Sequence, residues 1–268
     1  MQDFQEAVIV DRRYSHRAIP GKRKIIRPSF KIPNFDSNKH RIDMPKNNMI
    51  GIAGDVHLFS RDCNPEGFRT FLRYSQDFLG ISVFLLSGDL VEGDTRNARV
   101  PVSNQGYEAA SYLDRHMTNG SILYAIPGNH DTYEEGCVLS EIQEKLSGRF
   151  VYMSSTGQNF ARIDLGGVKV DMLHDENLRL PRKGNHCAFK SLSRRYNGSR
   201  PDIIVAGHTH MHVADTCDGM RGYLPGGYTN GQNGSYVARL DASREGLEVR
   251  DCFVPVDGFR VGRFSKSW

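Results

Sequence analysis

The chain has 268 residues, 38% hydrophobic and 25% charged, with a formal net charge of +4, which is enough length and apolar content for one large core. No stretch approaches the roughly 20 apolar residues of a membrane-spanning helix, and Ala7 to Val10 is too short for a signal-peptide core of about 7–15 residues. Five scattered cysteines, odd in number and without a C-x-x-C pair, exclude a disulfide framework, so reduced thiols in a cytoplasmic protein are expected.

Met1 to Asn48 carries eleven Lys or Arg against five Asp or Glu, a net of +6, which leaves −2 for Met49 to Trp268. Arg12, Arg13, Arg17, Lys22, Arg23, Lys24, Arg27 and Lys31 are interleaved with Tyr14, Phe30 and Phe35, and Pro20, Pro28, Pro33 and Pro45 interrupt any long helix. Residues 1–48 therefore read as an irregular basic arm preceding a domain over residues 49–268. Basic and aromatic side chains together can hold a nucleic-acid backbone and stack bases. A solvated extension is the plainer reading and the favoured one, because charge runs are commonly solvated.

From Met49 onward, apolar runs and polar motifs alternate. Met49 to Ala53 predicts a strand that ends in Asp55-Val56-His57, and Pro65 to Leu79 predicts a helix with Phe68, Phe71, Leu72, Phe78 and Leu79 as its stripe. Ile81 to Leu86 leads into Gly88-Asp89-Leu90-Val91-Glu92. A helix over Gln105 to Met117 follows, with Tyr107, Ala110, Leu113 and Met117 on one side. Ile122 to Ile126 leads into Gly128-Asn129-His130-Asp131, and a third helix spans Val138 to Leu146. Strands are then expected over Phe150 to Ser154, Asn159 to Leu165 and Val168 to Leu173, the last two joined by Gly166-Gly167 as a hairpin and followed by His174. Ile203 to Ala206 leads into Gly207-His208-Thr209-His210. Tyr236 to Leu240 and Leu247 to Val256 close the chain as strands.

Buried strands that end in Asp, Asn and His deliver those groups to one edge of a sheet, where open α/β sheets bind their ligands. Imidazole nitrogens with carboxylate and amide oxygens suit manganese, iron or zinc better than calcium, which prefers oxygen throughout. Two such cations about 3.5–4 Å apart clamp a phosphoryl group and generate a hydroxide nucleophile near neutral pH. The carboxylate shared between them is assigned to Asp89, whose motif stands alone. Singly, each motif is weak: Gly-Asp usually marks a turn, and two histidines at i and i+2 can simply share a strand face. It is the ordered set at strand ends that points to a metal site.

The pattern D-x-H, G-D, G-N-H-[DE], H, G-H-x-H resembles that of the calcineurin-like metallophosphoesterases, from Met49 to His210. The resemblance implies a four-layer α/β/β/α sandwich with two mixed β-sheets and a dinuclear metal site at strand C-terminal ends. It implies one metal held by Asp55, His57, Asp89 and His210, and a second held by Asp89, Asn129, His174 and His208. His130 becomes the general acid or charge stabiliser, with Asp131 orienting its ring, since a carboxylate behind an imidazole fixes its tautomer. The implied reaction is phosphoester hydrolysis by in-line attack of a metal-bound hydroxide.

His186 competes with His174 but sits in a loop, and His212 extends the alternation of His208 and His210 as a solvated strand residue or one facing substrate. His16, His40 and His116 carry no motif and are read as surface residues. Protein serine/threonine phosphatases read G-D-x-x-D-R-G and G-N-H-E; here Glu92-Gly93-Asp94 replaces Asp-Arg-Gly and Asp131 replaces the Glu, so a phosphate clamp is missing. The UDP-diacylglucosamine pyrophosphatases match in D-x-H-L, G-D-x-x-E and G-H-T-H but carry arginine where this chain has His130. Double-strand-break nucleases need a capping region for which little chain remains. A phosphodiesterase conflicts least; a phosphomonoesterase, a nuclease or nucleic-acid binder using the arm, and a non-catalytic scaffold are the alternatives. The basic stretch Arg179, Arg182, Lys183, Lys190, Arg194, Arg195 and Arg200 is placed to meet the non-reacting part of an anionic substrate.

Overall fold

The computed structural model describes residues 41–133, 136–153, 159–175, 178, 189–194, 196, 200–229, 234–243, 246–257 and 260–261. Most of the expected arm, His186, and Arg179, Arg182, Lys183 and Arg195 of the basic stretch lie outside them. In chain order the elements are β1 (Arg41–Ile42), β2 (Met49–Ala53), α1 (Pro65–Asp77), β3 (Val83–Leu86), α2 (Val102–His116), β4 (Ile122–Ala125), β5 (Thr132–Tyr133) and β6 (Gly136–Cys137). There follow α3 (Val138–Lys145), β7 (Phe150–Tyr152), β8 (Phe160–Leu165), β9 (Val168–His174), α4 (Lys190–Ser193), β10 (Ile203–Gly207), β11 (His212–Cys217), β12 (Met220–Pro225), β13 (Gly234–Ser243), β14 (Gly246–Asp257) and β15 (Arg260–Val261).

Two large mixed sheets form the molecule. The seven-stranded sheet runs β15-β14-β13-β2-β3-β4-β7, and the six-stranded sheet runs β1-β8-β9-β10-β12-β11. β2, β3, β4 and β7 are parallel, with Ala53 level with Leu86 and Leu86 level with Ala125. β9 and β10 are parallel too, with His174 level with Gly207. Parallel strands covered on both faces read as unbroken apolar runs, and side chains still alternate in direction along them. Phe84, Leu86, Leu123 and Ala125 accordingly pack with Phe68, Phe71, Leu113 and Ile142 of the helices. Ile50, Ile52, Val83 and Leu85 point the other way, into Ile163, Val170, Met172, Ile203 and Val205 of the six-stranded sheet. Phe160, Leu173, Ile204 and Ala206 face a third cluster with Phe189 and Leu192.

α1 starts where the sequence says it should. The Asn64 side chain accepts the Gly67 N–H at 2.9 Å, and Pro65 occupies the first helical position, where its missing N–H costs nothing. Two expected stripe residues are outside the core. Phe78 lies past the helix end, 78% exposed and stacked on Tyr74, and Tyr107 is 58% exposed under the Lys145 ammonium. Gln105 and Ala109 face inward in α2 where Tyr107 was expected to do so. Of the expected surface histidines only His116 is described, half-buried with its ring edge-on to Tyr112.

Residues 41–48 of the expected arm belong to the sheets' framework: Arg41 and Ile42 pair with Asp164 and Leu165, and the Asn47 amide donates to the carbonyls of Leu79 and Gly80. β11 and β12 were not expected. They form a hairpin whose Asp218-Gly219 turn has φ of 51° and 81°, the paired positive values of a type I′ turn. Among the described residues no helix is long and apolar enough to cross a membrane, and Cys63, Cys137, Cys217 and Cys252 are unbridged.

Candidate metal centre

Five chain segments reach one point just past the C-terminal ends of β2, β3, β4, β9 and β10. Backbone bonds continue the sheet register into the loops: Asp55 N–H meets the Gly88 carbonyl at 3.0 Å, and His57 N–H meets that of Asp89 at 2.9 Å. The strand pairing of His174 with Gly207 sets the fourth motif beside the fifth. The His208 amide donates to Oδ1 of Asp55 at 2.8 Å, and the more distant His210 amide to Oδ2 at 3.4 Å, which ties the two sheets together at the site.

Asp55, His57, Asp89 and His174 are each at most 4% exposed. Among the described residues there are three groups whose ligating atoms lie, within each group, no more than 4.8 Å apart: Asp55, His57 and His210; His57, Asp89 and His130; and Asp89, His174 and His208. Asn129 joins the last group, its Oδ1 lying 3.1 Å from His174 Nε2 and 3.2 Å from His208 Nδ1. Every expected site residue except Asp131 is therefore brought to one cluster, and His57 and Asp89 each belong to two of the three groups.

The rings are held from behind. Nδ1 of His57 lies 3.1 Å from a Glu92 carboxylate oxygen, Nδ1 of His174 2.8 Å from the Ser87 carbonyl, and Nδ1 of His130 2.8 Å from the Glu92 carbonyl. Carbonyl and ionised carboxylate oxygens only accept, so each Nδ1 carries a hydrogen and each Nε2 is turned toward the cluster. His57 Nε2 then meets Nε2 of His210 at 3.2 Å, and His174 Nε2 faces Asp89 Oδ2 and Asn129 Oδ1, both at 3.1 Å. Such a convergence of electron pairs calls for a proton or a metal cation. A nitrogen and oxygen donor set oriented from behind fits the latter.

The backbone carries the cost of this arrangement. Asp55, His57, Asp89, His208 and His210 all have positive φ, between 48° and 84°. Non-glycine residues adopt that region at a cost of order 1–3 kcal/mol each, and such strain gathers at functional sites.

Burial pushes the Asp55 carboxyl up to about 6, with the nearby Asp89 charge adding to it against His174. Burial works against the Asp89 charge as well, but the His174 hydrogen bond and charge outweigh it and hold Asp89 well below the ordinary carboxylate range. The converse holds for His174: burial disfavours its cation, Asp89 favours it more, and His174 rises to about 9. Burial and the neighbouring His57 push His210 down to about 4. Without a cation, the cluster thus keeps a proton on His174.

One expected role is corrected. Asp131 does not orient the His130 ring. Its carboxylate accepts the Gly128 and Val91 amides at 2.8 and 3.1 Å, so it braces the loop, and the ring partner is the Glu92 carbonyl. Burial, reinforced by the Asp89 charge, pushes Asp131 up to about 6. Glu92, Ser87 and Thr229, whose Oγ1 lies 3.0 Å from His210 Nδ1, were not foreseen as supports. Glu92 stood within a motif already singled out, while the other two had no sequence signal. His212 does not continue β10; it opens β11 as an exposed residue stacked on Phe253.

The family model for calcineurin-like phosphoesterases matches residues 49–223. The chain belongs to that family. Phosphoester hydrolysis with divalent metals is the chemistry of the family, and the cluster contains groups of the kind that can hold such ions. No curated protein matches the chain significantly. Among solved structures, a novel archaeal phosphodiesterase is 17% identical, with TM-score 0.49 over 77% of this chain and 99% of that one. Vps29 from Entamoeba histolytica, in complex with zinc, is 15% identical, with TM-score 0.41 over 76% and 98%. A protein from Staphylococcus aureus described as a putative 5'-nucleotidase is 14% identical, with TM-score 0.47 over 78% and 54%.

Proposed function

We propose that the protein is a metal-dependent phosphodiesterase. Asp55, His57, Asp89 and His210 would hold one cation, and Asp89, Asn129, His174 and His208 a second, with manganese, iron or zinc matching the mixed nitrogen and oxygen donors. Bound divalent cations would supply Lewis acidity toward phosphoryl oxygens and lower the pKa of water.

The observation that carries the reading is the setting of His130. Its amide donates to Asp89 Oδ1 at 2.9 Å and its Nδ1 to the Glu92 carbonyl at 2.8 Å. Nε2 is left as the nitrogen that, in the imidazolium form of the ring, would pass its proton to the leaving alkoxide while Nδ1 keeps its own, and positioned proton transfer contributes about 10²–10⁴-fold. The Asp-Arg-Gly phosphate clamp of serine/threonine phosphatases is replaced here by Glu92-Gly93-Asp94, which supports the diester.

The test is hydrolysis of bis(p-nitrophenyl) phosphate against p-nitrophenyl phosphate with manganese, using Asp89→Ala as the blank. The expected result is a clear preference for the diester. A preference for the monoester would move the reading to a phosphatase.

A further inference from the structure

Glu92 touches two rings of the site through two different groups. Its side chain meets His57 Nδ1 at 3.1 Å, while its main-chain carbonyl meets His130 Nδ1 at 2.8 Å. The two rings lie edge to face with centroids 4.7 Å apart. Glu92 itself is 6% exposed and clamped on every side. Its N–H donates to the Leu58 carbonyl at 3.0 Å, and its second carboxylate oxygen accepts the Thr95 hydroxyl at 2.6 Å. The following residue, Gly93, is gripped by the buried Gln105 amide, which accepts its N–H at 2.8 Å and donates to its carbonyl at 2.9 Å. Gly93 has φ of 71°, and a Cβ there would overlap the His130 carbonyl; only glycine lets the peptide come this close.

We infer that Glu92 is a double positioning residue: its carboxylate fixes the cation-binding tautomer of His57, and its peptide carbonyl fixes the proton-carrying ring of His130. This rests on the metal-dependent reading above. An ionised carboxylate holds the hydrogen of His57 on Nδ1, which keeps the Nε2 electron pair for the cation and strengthens it as a donor. Because the two duties belong to different atoms, side-chain substitution separates them. Removing the carboxylate frees His57 but leaves the carbonyl behind His130 in place.

The experiment titrates Mn²⁺ into wild type, Glu92→Ala, Glu92→Gln and His130→Ala by calorimetry, and reads histidine tautomers from ¹⁵N chemical shifts of the metal-free proteins. Glu92→Ala is expected to weaken Mn²⁺ binding by about 10–100-fold, the usual cost of losing a group behind a metal-bound histidine. It is also expected to move His57 from one tautomer to a mixture, with the His130 signals unchanged. Glu92→Gln, whose amide oxygen still accepts from Nδ1, recovers part of the affinity. At saturating Mn²⁺, kcat falls less in Glu92→Ala than in His130→Ala, which in turn keeps wild-type Mn²⁺ affinity. Wild-type affinity and an unchanged His57 tautomer in folded Glu92→Ala would overturn the role of Glu92 alone. Should Glu92→Ala not fold, Glu92→Met, of similar volume and without an oxygen acceptor, takes its place, and wild-type affinity with an unchanged His57 tautomer in that variant would overturn the role equally. A wild type that binds no Mn²⁺ would overturn the metal reading together with it.

Discussion

Strand β9 carries two buried polar clusters three residues apart, and they solve the same problem in opposite ways. In mid-strand, the fully buried Asp171 sits directly across from Arg162 in the β8–β9 ladder and receives two hydrogen bonds from its guanidinium, at 2.6 and 2.8 Å. Tyr196 adds a third at 2.7 Å. This charge is balanced within the chain, on regular strand backbone. At the end of the strand, His174 joins Asp55, Asp89 and Asn129, where nitrogen and oxygen electron pairs face one another and neighbouring residues hold positive φ. A buried carboxylate satisfied by its own guanidinium is architecture. One surrounded by other electron-pair donors on strained backbone is left to be balanced by a proton or a cation.

The sharpest way to break this contrast is to remove the residue shared by both cation groups. Asp89→Ala is expected to abolish hydrolysis and to lose bound Mn²⁺; metal content equal to wild type, read by atomic emission after dialysis, would sink the bridging assignment. His130→Ala should lower kcat by about 10²–10⁴-fold while its metal content stays at the wild-type level. Loss of metal in that variant would mean that the ring is a ligand rather than a proton donor.

The balanced cluster should respond in stability alone. Arg162→Met leaves Asp171 buried without its partner, a change that costs about 3–5 kcal/mol, readable as a lower urea midpoint at unchanged slope. Mn²⁺ affinity in the folded fraction should not move, and pairing the change with Asp171→Leu should return much of the loss. A midpoint unchanged by Arg162→Met would show that water, not the guanidinium, satisfies Asp171.

A smaller, graded effect comes from pH. The Asp89 hydrogen bond and charge, acting against burial, raise metal-free His174 to about 9. Proton and cation compete for Nε2, so cation binding below that pH expels the proton. Mn²⁺ affinity is then expected to rise by about tenfold per pH unit between pH 7 and 9 for this one proton, and to flatten above. Burial lowers His57, but the Glu92 bond together with the Asp89 and Asp55 charges outweighs it and raises the ring, which acts in the same direction. Calorimetry in buffers of different ionisation enthalpy counts the protons released; none released across this window would place the proton elsewhere.

Much of this was legible beforehand. Met49 to Ala53, the run before Asp89, Ile122 to Ile126 and Ile203 to Ala206 announced buried strands because burial on both faces leaves no room for polar residues. Asp55, His57, Asp89, Asn129, His130, His174, His208 and His210 stood at the ends of such runs, and the structure gathers them. Less legible was the hairpin β11–β12. Its strands, His212–Cys217 and Met220–Pro225, mix polar and apolar residues, although the Asp218-Gly219 dipeptide was a usable turn signal. Phe78 and Tyr107 were misplaced because helical spacing fixes a direction around the axis but not where the helix stops or what it packs against.

By itself, then, the sequence determined which strands are buried, which side chains terminate them, and so the family and the makeup of the donor set. These are local facts, written in runs of neighbouring residues. Tertiary structure alone decided what stands behind each ring: Glu92 behind His57 and His130, Ser87 behind His174, Thr229 behind His210, and Asp131 withdrawn into the loop to hold the Gly128 and Val91 amides. The reason is physical. A hydrogen bond is set by a few tenths of an ångström and an angle, and those depend on how two sheets pack, with partners as far apart as Ser87 and His174.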